Sequence, residues 1–276
     1  MEDDLALALE LADLADEIVR ASFQPGGFLF ENKYDGSPVT AIDRAVELAI
    51  RERLAVARPG HVVLGEEAGL GDVVRSEPRP DDTILVGAQF IAPANPTRWI
   101  VDPIDGTRKF VRGIPVFATL LALELDGEVV VGVASAPLMD RTGRRWWAAK
   151  GLGAFADGER IRVSRVDRLA DAHVLHGSVE GWVRKGHGQA LLNLSTACWG
   201  TVGYGDFWCH LLVAEGKADA ALEPEAAVWD LAALKIIVEE AGGRFSDFTG
   251  QPTPAGGTGV SSNGLIHEEL LAYLRG

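Results

Sequence analysis

Acidic residues recur in this sequence just after short apolar runs. Glu66 comes shortly after the run 61–64, and Asp102 comes directly after the run 98–101, with Asp105 close behind. Apolar runs of this length predict buried strands, so the acidic residues are expected where strands end. Each has an ordinary alternative, because Glu and Asp are common in solvated loops and turns. Their conjunction, rather than any one of them, points to chemistry.

Carboxylates in such numbers suit hard divalent cations. Mg²⁺ takes oxygen ligands from a few carboxylates and keeps water and phosphate oxygens in its remaining positions. Two such ions close together can lower the pKa of a bound water and neutralise charge on a phosphoryl group, so no protein nucleophile is needed. Asp230 also fits the N-terminal cap of a helix, which is its ordinary alternative. Enough carboxylates for two ions are present at Glu66, Asp102, Asp105 and Asp230.

A proline stands between two of these acidic residues. Pro103 fixes the backbone between Asp102 and Asp105, because its ring restricts rotation about the N–Cα bond. Both carboxylates and the carbonyl of Ile104 can then face one centre. The segment 102–105 is therefore a candidate metal-binding motif, although Asp105 followed by Gly is also an ordinary turn.

Two predicted helix starts could serve the same site as these acidic residues. Gly106 and Thr107 expose backbone N–H groups at the start of a helix predicted over 107–111, and such N–H groups bind anions. Thr40 and Asp43 have the spacing of a capping box at the start of another helix. Asp43 is therefore either a cap alone or a cap that also serves the site.

Helices and strands alternate along the chain, which predicts an α/β fold. Residues 4–22 are rich enough in Leu and Ile for a helix, and another helix follows Thr40. Asp126 and Gly127 between two apolar runs predict a tight hairpin turn. Asp157 predicts a second hairpin, because it too precedes Gly. Residues 68–97, rich in Gly, Pro and Asp, predict a long excursion between two strands.

Composition and charge disfavour several classes of protein. The net charge of −14 repels polyanions, and Lys and Arg form no basic track, so neither a nucleic-acid partner nor a nuclease is expected. No apolar run reaches the roughly 20 residues of a membrane span. Residues 1–14 alternate acidic and aliphatic residues, unlike a secretory signal, so we expect a cytoplasmic protein away from membranes. Cys198 and Cys209 lack the spacing of a metal site.

The acidic residues stand in motifs whose order is informative. Together with shorter segments before and after them, these motifs resemble the inositol monophosphatase-like superfamily over nearly the whole chain. A catalytically inactive, metal-stabilised scaffold would be expected to have lost a metal ligand, and none is missing here. The matching positions are Lys33, 37–40 with Asp43, 65–67, 102–107, 229–230, 239–243 and 262–264.

This resemblance implies a layered α-β-α-β-α sandwich of the inositol monophosphatase and fructose-1,6-bisphosphatase type. An α+β N-terminal half over 1–145 and an α/β C-terminal half over 146–276 would enclose the metal site between them. The resemblance also implies two or three Mg²⁺ per active site and a homodimer. The implied metal ligands are Glu66, Asp102, the carbonyl of Ile104, Asp105 and Asp230.

The resemblance also implies roles for the residues around the metals. Thr107, held by Asp43, would orient the attacking water, and Glu66 would take part in catalysis beside its role as a ligand. Phosphate would rest on the N–H groups of Gly106 and Thr107. The family usually has Asn where Lys109 stands here, so contacts just behind the motif are expected to differ while the ligands are retained.

Several further segments resemble the histidinol-phosphate phosphatases of this group: 110–117, 145–149, 204–207 and 228–234. Histidinol phosphate carries an ammonium and an imidazole, so its pocket should offer carboxylates beyond those that hold metal. Asp206 and Glu223 would supply them, with Tyr204 beside them. The ordinary alternatives are a turn former for Asp206 and a solvated residue for Glu223. Inositol monophosphate and a nucleotide 3′-phosphate are alternative substrates for the same chemistry.

Overall fold

The structure is a computed structural model that describes residues 1–24, 26–27, 29–32, 38–72 and 97–275. Lys33, Ser37 and most of the predicted excursion over 68–97 lie outside the described residues. Besides a 3₁₀ turn at Leu169–Asp171, the described helices are α1 (Glu2–Ser22), α2 (Ala41–Ala57), α3 (Thr107–Phe110), α4 (Val179–Arg184), α5 (Gly188–Ala197), α6 (Asp206–Ala214), α7 (Val228–Glu240) and α8 (His267–Arg275).

The strands of the described ranges form three sheets. The strands are β1 (Glu31–Asn32), β2 (Pro38–Val39), β3 (Val62–Gly65), β4 (Gly69–Asp72), β5 (Arg98–Asp105), β6 (Ala118–Leu125), β7 (Glu128–Ala136), β8 (Arg144–Ala149), β9 (Gly153–Ala156), β10 (Glu159–Arg160), β11 (His173–His176), β12 (Gly200–Val202), β13 (Ala220–Glu223), β14 (Arg244–Ser246) and β15 (Gly259–Ser262). The largest sheet has the order β10-β9-β8-β7-β6-β5-β3-β4, the second has the order β12-β11-β13-β15-β14, and β1 pairs with β2 alone.

Helices and the two large sheets stack in five layers. Helices α1 and α2 cover one face of the eight-stranded sheet, where Leu11 and Ile50 are fully buried in one cluster with Trp99. Helices α6 and α7 cover the other face and also contact the five-stranded sheet. The outer face of that second sheet packs against α4, α5 and α8, which bury Trp182. This arrangement confirms the predicted layered α/β sandwich.

The two predicted hairpin turns are present. Asp126 and Gly127 have φ angles of 51° and 80° between β6 and β7, as a primed two-residue turn requires. Asp157 and Gly158 have φ angles of 51° and 87° between β9 and β10. The second hairpin belongs to the eight-stranded sheet, which therefore runs on to β10. The predicted division between residues 145 and 146 falls within β8, because β8 continues the antiparallel meander from β7.

Strand β5 differs from its prediction in length. It was expected to end at Val101, but it continues through Asp105, with an irregular register against β6 between Asp102 and Asp105. The irregularity allows a strand that contains Pro103 to remain in the sheet, because proline is tolerated at bulges. The helix predicted over 107–111 is shorter by one residue, since α3 ends at Phe110.

The predicted capping box of α2 is confirmed. The hydroxyl of Thr40 accepts hydrogen bonds from the N–H groups of Ile42 and Asp43, and Asp43 Oδ2 accepts from the N–H of Thr40 at 2.9 Å. One face of this helix is apolar and buried, with Val46 and Leu54 fully enclosed. Helix α2 therefore begins at a fixed residue and presents a fixed face to the sheet.

A buried ion pair on α2 holds the turn that follows β3. Glu47 and Arg51 are only 2% and 6% exposed, and Arg51 Nε donates to Glu47 Oε1 at 2.8 Å. The Glu47 carboxylate also accepts from the N–H groups of Glu67 at 2.7 Å and Ala68 at 3.1 Å. A Cβ on Gly65 would overlap this carboxylate, so only glycine fits there. The turn that carries Glu66 is thereby fixed to α2.

None of the helices in the described ranges combines the length and apolarity that crossing a lipid bilayer requires.

Replacing Glu47 by Gln should destabilise the protein. Gln cannot accept all of the hydrogen bonds from Arg51, Glu67 and Ala68, and the buried guanidinium loses its counter-charge. Breaking a buried ion pair in this way lowers the free energy of unfolding by about 3–5 kcal/mol. Urea denaturation of the purified variant measures the change.

The matched control is Glu10→Gln, which removes one partner of the exposed pair between Glu10 and Arg53. These side chains are 53% and 36% exposed, and an exposed pair contributes about 0–1 kcal/mol. Equal effects of Glu47→Gln and Glu10→Gln would contradict a special role for the buried pair.

Candidate metal and phosphate site

Three carboxylates from two distant segments meet at the junction of the layers. Asp102, Asp105 and Asp230 each offer an oxygen, and these oxygens lie within 4.8 Å of one another. The first two residues come from the end of β5, and Asp230 comes from the first turn of α7. They line a cleft of about 520 Å³. The structure therefore brings together three of the four predicted carboxylate ligands as one compact group.

Backbone N–H groups hold each of these carboxylates. Asp102 Oδ1 accepts from the N–H of Ile104 at 3.0 Å, and Asp230 Oδ2 accepts from the N–H of Ala227 at 2.7 Å. Asp105 Oδ2 accepts from the N–H of Phe207 at 2.6 Å. Each of these bonds fixes the orientation of one carboxylate. Asp230 is therefore not the N-cap residue of α7, as its ordinary alternative supposed. Ala227 holds that position, and Asp230 caps its N–H from the third position of the helix.

Burial and mutual repulsion disfavour the charged forms of these carboxylates. Burial, followed by the charges of Glu66 and Asp105, raises the pKa of Asp102 well above its ordinary value. Burial also raises the pKa of Asp105, with Asp206 as the next cause. Burial, opposed by the Ala227 hydrogen bond, raises the pKa of Asp230 to about 7. A divalent cation would remove this unfavourable charge, so the donor set fits a hard metal ion.

Glu66 lies beside the group of three rather than within it. It follows β3 in the turn held by Glu47, and it lines the same cleft. Its carboxyl is in hydrogen-bonding contact with that of Asp102. The fourth predicted carboxylate is therefore adjacent to the cluster and belongs to a turn whose backbone is fixed.

The phosphate-binding turn predicted at Gly106 and Thr107 directly follows the cluster. Gly106 has a φ angle of 86°, and a Cβ there would lie 3.1 Å from Asp206 Oδ2. Phe110 fixes the end of α3 in the core, because its buried ring packs edge-on against Phe117 with centroids 4.8 Å apart. The two N–H groups of this turn thus lie on a rigid support at the wall of the cleft.

The structure does not pair Thr107 with Asp43. The Thr107 hydroxyl donates to the carbonyl of Ile104 at 2.9 Å, because a hydroxyl at a helix start easily reaches the carbonyl three residues earlier. Asp43 is fully buried, and its Oδ1 has no hydrogen-bond partner among the described residues. Burial raises the pKa of Asp43. An enclosed oxygen without a partner remains available for one.

The three predicted recognition residues line the same cleft. Tyr204 is half-exposed and its ring lies 4.9 Å from that of Trp208. Asp206 opens α6 with a φ angle of 56°. Its carboxylate is paired, since Lys109 Nζ lies 2.6 Å from Asp206 Oδ2. The negative charge of Asp206 is therefore already compensated within the protein.

Glu223 differs from Asp206 because no cationic side chain pairs with it among the described residues. It ends β13, its Oε1 is enclosed without a hydrogen-bond partner in that part of the chain, and the Asp206 N–H donates to the carboxylate. Burial raises its pKa well above the ordinary value, and the charge of Asp206 raises it further. A Cβ on Gly177 would overlap Glu223 Oε2, so glycine makes room for this side chain.

Three features of the site were not identified from the sequence. Glu47 and Arg51 have i,i+4 spacing on a predicted helix, which could have identified the pair. Lys109 was noted as a departure, but nothing in the sequence indicated its partner Asp206. His176 lines the cleft with Nδ1 at 2.7 Å from the carbonyl of Gly177, and no spacing signal marks it.

Comparisons with known proteins agree with this geometry. The sequence model that describes the inositol monophosphatase family matches residues 1–276 of this chain. A histidinol-phosphatase of Mycobacterium tuberculosis is 47% identical over 99% of this chain and 98% of its own length. An inositol-1-monophosphatase of Mesorhizobium japonicum is 34% identical over 88% of this chain and 85% of its own length.

Solved structures agree as well. An IMPase of Thermotoga maritima superposes with a TM-score of 0.81 and 28% identity, covering 99% of this chain and 97% of its own. The layered fold, the carboxylate cluster and the full-length match together establish that this chain belongs to the inositol monophosphatase family.

Proposed function

We propose that this protein is a magnesium-dependent phosphomonoesterase that hydrolyses L-histidinol phosphate to L-histidinol and phosphate. The observation that carries the proposal is the cleft in which buried, mutually repelling carboxylates lie beside a separate carboxylate, Glu223, that no cationic side chain of the described residues pairs with. The first set suits metal and phosphate, and Glu223 suits a cationic leaving group. The 47% identity to a histidinol-phosphatase over nearly the full chain supports the same substrate.

The proposed metal ligands are those predicted from the sequence. The carboxylates of Asp102, Asp105 and Asp230 would hold Mg²⁺ with Glu66 and the carbonyl of Ile104. When bound, two or three Mg²⁺ would make water more acidic and neutralise charge on the phosphoryl group. The cluster supports this assignment because its carboxylates repel one another unless a cation is present.

The remaining catalytic work falls to side chains and N–H groups of the chain. We assign the orientation of the attacking water to Thr107, with Asp43 as its acceptor and Glu66 on the same side of the cleft. Phosphate would be held by the N–H groups of Gly106 and Thr107. The unpaired Oδ1 of Asp43 supports this assignment, because it is an enclosed acceptor that no described residue uses.

Recognition of the leaving group falls mainly to Glu223. Histidinol carries a primary ammonium and an imidazole, whereas inositol offers only hydroxyls. A carboxylate that is enclosed and unpaired gains most from a charge-assisted hydrogen bond. Tyr204 and Asp206 line the cleft beside Glu223 and complete the proposed recognition segment.

Hydrolysis of inositol 1-phosphate is the second candidate function, with a nucleotide 3′-phosphate as a further alternative. The observation in its favour is the 34% identity to an inositol-1-monophosphatase, combined with a metal cluster that serves either substrate. The homodimer, the cytoplasmic location and the absence of nucleic-acid or membrane partners stay predictions. Phosphate release from a panel of the three substrates distinguishes the candidates.

Removal of Mg²⁺ should abolish activity, because the buried carboxylates would repel the substrate phosphate. EDTA-treated protein should release no phosphate from histidinol phosphate until Mg²⁺ is restored. Asp102→Asn should lower kcat/KM by more than the roughly 10–100-fold typical of groups that merely orient metal ligands. The control Asp171→Asn alters an exposed carboxylate and should leave activity unchanged.

The stability of the metal-free protein should change with pH in a defined direction. The pKa of Asp230 is raised from 3.8 to about 7 in the folded protein. Between these two pH values the folded protein binds more protons than the unfolded chain, so the free energy of unfolding should fall as pH rises through this range. Mg²⁺ should reverse the fall. Full activity after EDTA treatment, or a flat pH profile, would contradict the proposed metal site.

Thr107→Ala and Asp43→Asn should each reduce kcat far more than they change KM. An interaction used chiefly in the transition state appears in kcat, and loss of a group that manages a proton costs roughly 100-fold or more. Steady-state kinetics of both variants and of the double variant measure this. Thr142→Ala, in an exposed turn, is the control. Multiplicative losses in the double variant would show that the two residues act independently.

Glu223→Gln should weaken catalysis on histidinol phosphate specifically. Loss of a charge-assisted contact corresponds to about 1–3 kcal/mol in kcat/KM. Turnover of p-nitrophenyl phosphate should change far less, because it has no cationic group for Glu223 to bind. Glu225→Gln removes an exposed carboxylate at the rim of the cleft and serves as the control. Equal losses on both substrates would mean that Glu223 supports the metal site instead.

A further inference from the structure

Lys109 links the two sides of the cleft. Its Nζ lies 2.6 Å from Asp206 Oδ2 and donates to the carbonyl of Tyr204 at 2.9 Å. Lys109 belongs to α3, behind the phosphate-binding turn, whereas Tyr204 and Asp206 belong to the turn that opens α6. The side chains of Lys109 and Asp206 are 24% and 35% exposed. One ammonium therefore joins the phosphate side to the recognition side through two contacts.

The turn that Lys109 contacts has an unusual backbone. Asp206 has a φ angle of 56°, and the preceding Gly205 has 69°. The other described non-glycine residues with positive φ, Asp126 and Asp157, occupy hairpin turns that favour this conformation. Asp206 instead starts a helix, so its conformation depends on the contacts that surround it.

Two N–H groups of this turn reach the site directly. The N–H of Asp206 donates to Glu223, and the N–H of Phe207 donates to Asp105 Oδ2 at 2.6 Å. The Asp206 carboxylate also packs against Gly106, where a Cβ would lie 3.1 Å from Oδ2. A shift of the turn would therefore move the recognition carboxylate and disturb a predicted metal ligand.

We propose that Lys109 is a positioning residue that, with Asp206, clamps the turn 204–207 and so fixes Glu223 for the leaving group. This inference rests on the proposed function and deepens it, because it assigns Asp206 to the clamp and leaves direct contact with the substrate's cation to Glu223. The clamp predicts that affinity for the leaving group depends on an ammonium that does not touch it.

The clamp and direct recognition by Asp206 predict opposite effects of one substitution. If Asp206 bound the substrate's ammonium, Lys109→Met would free its carboxylate and lower KM for a cationic substrate. If Lys109 positions the turn, the same substitution removes both of its contacts and raises KM. The sign of the change in KM therefore separates the two roles.

The experiment measures kcat and KM of Lys109→Met, Lys109→Arg, Asp206→Asn and the double variant Lys109→Met/Asp206→Asn. We expect each single variant except Lys109→Arg to raise KM for histidinol phosphate roughly 10-fold, the effect of a lost charged hydrogen bond. Lys109→Arg should recover part of the affinity. The double variant should be no worse than either single one, because both break the same contact.

Two controls keep the result specific. Lys150→Met breaks an exposed pair with Glu128, 2.6 Å apart, and should leave KM unchanged. p-Nitrophenyl phosphate lacks the histidinol group. In each clamp variant, the fold-decrease in kcat/KM for this substrate should be at least roughly fivefold smaller than the decrease for histidinol phosphate. If Lys109→Met does not fold, the double variant, which leaves no unpaired charge, supplies the test.

Three outcomes would overturn the clamp: a lower KM in Lys109→Met, equal losses on both substrates, or multiplicative losses in the double variant. Failure of the proposed function looks different. The wild-type protein would then hydrolyse inositol 1-phosphate or a nucleotide 3′-phosphate in preference to histidinol phosphate. In that case, the clamp is tested by comparing the change in KM of each clamp variant for the preferred substrate with its change in KM for p-nitrophenyl phosphate.

Discussion

Repulsion among buried carboxylates is the constraint that the rest of this structure must satisfy. Asp102, Asp105 and Asp230 offer oxygens within 4.8 Å of one another, although burial alone disfavours their charged forms. Rigid supports hold them there: an irregular segment of β5, the first turn of α7, and N–H donors from Ile104, Phe207 and Ala227. A small, highly charged cation is the kind of ligand that such a cluster of oxygens fits.

Charged side chains also surround the cleft, and they differ in burial and in whether an opposite charge pairs with them. Glu47 and Arg51 form a closed, buried pair that fixes the turn of Glu66. Lys109 and Asp206 form a partly exposed pair at the wall of the cleft. Glu223 has no partner of this kind in the described ranges, and its Oε1 is enclosed without a hydrogen bond there. The acidic residues of the cleft thus differ in how far the protein itself compensates their charge.

Short sequence patterns predicted the fold well, and they also identified the three carboxylates that the structure brings together. The capping box at Thr40, the hairpin turn at Asp126 and the acidic motif around Asp105 depend on neighbouring residues, so local spacing reveals them. The pair of Lys109 and Asp206 joins residues 97 positions apart, and no local pattern encodes such a contact. The extension of β5 through Pro103 was missed because proline normally ends a strand, and a bulge removes that penalty.

Helix α7 is buried around nearly its whole circumference, with every residue from Leu231 to Val238 inside the protein. It packs against strands of both large sheets, so the face of the eight-stranded sheet that α6 and α7 share stays partly uncovered until residues 228–240 arrive. During synthesis, residues 1–227 of the 276 leave the ribosome before α7, and apolar residues such as Ile100 and Leu120 lack its cover until then. Transiently exposed apolar surface of this kind is a general route to aggregation, so the timing of α7 matters for folding as well as for the site.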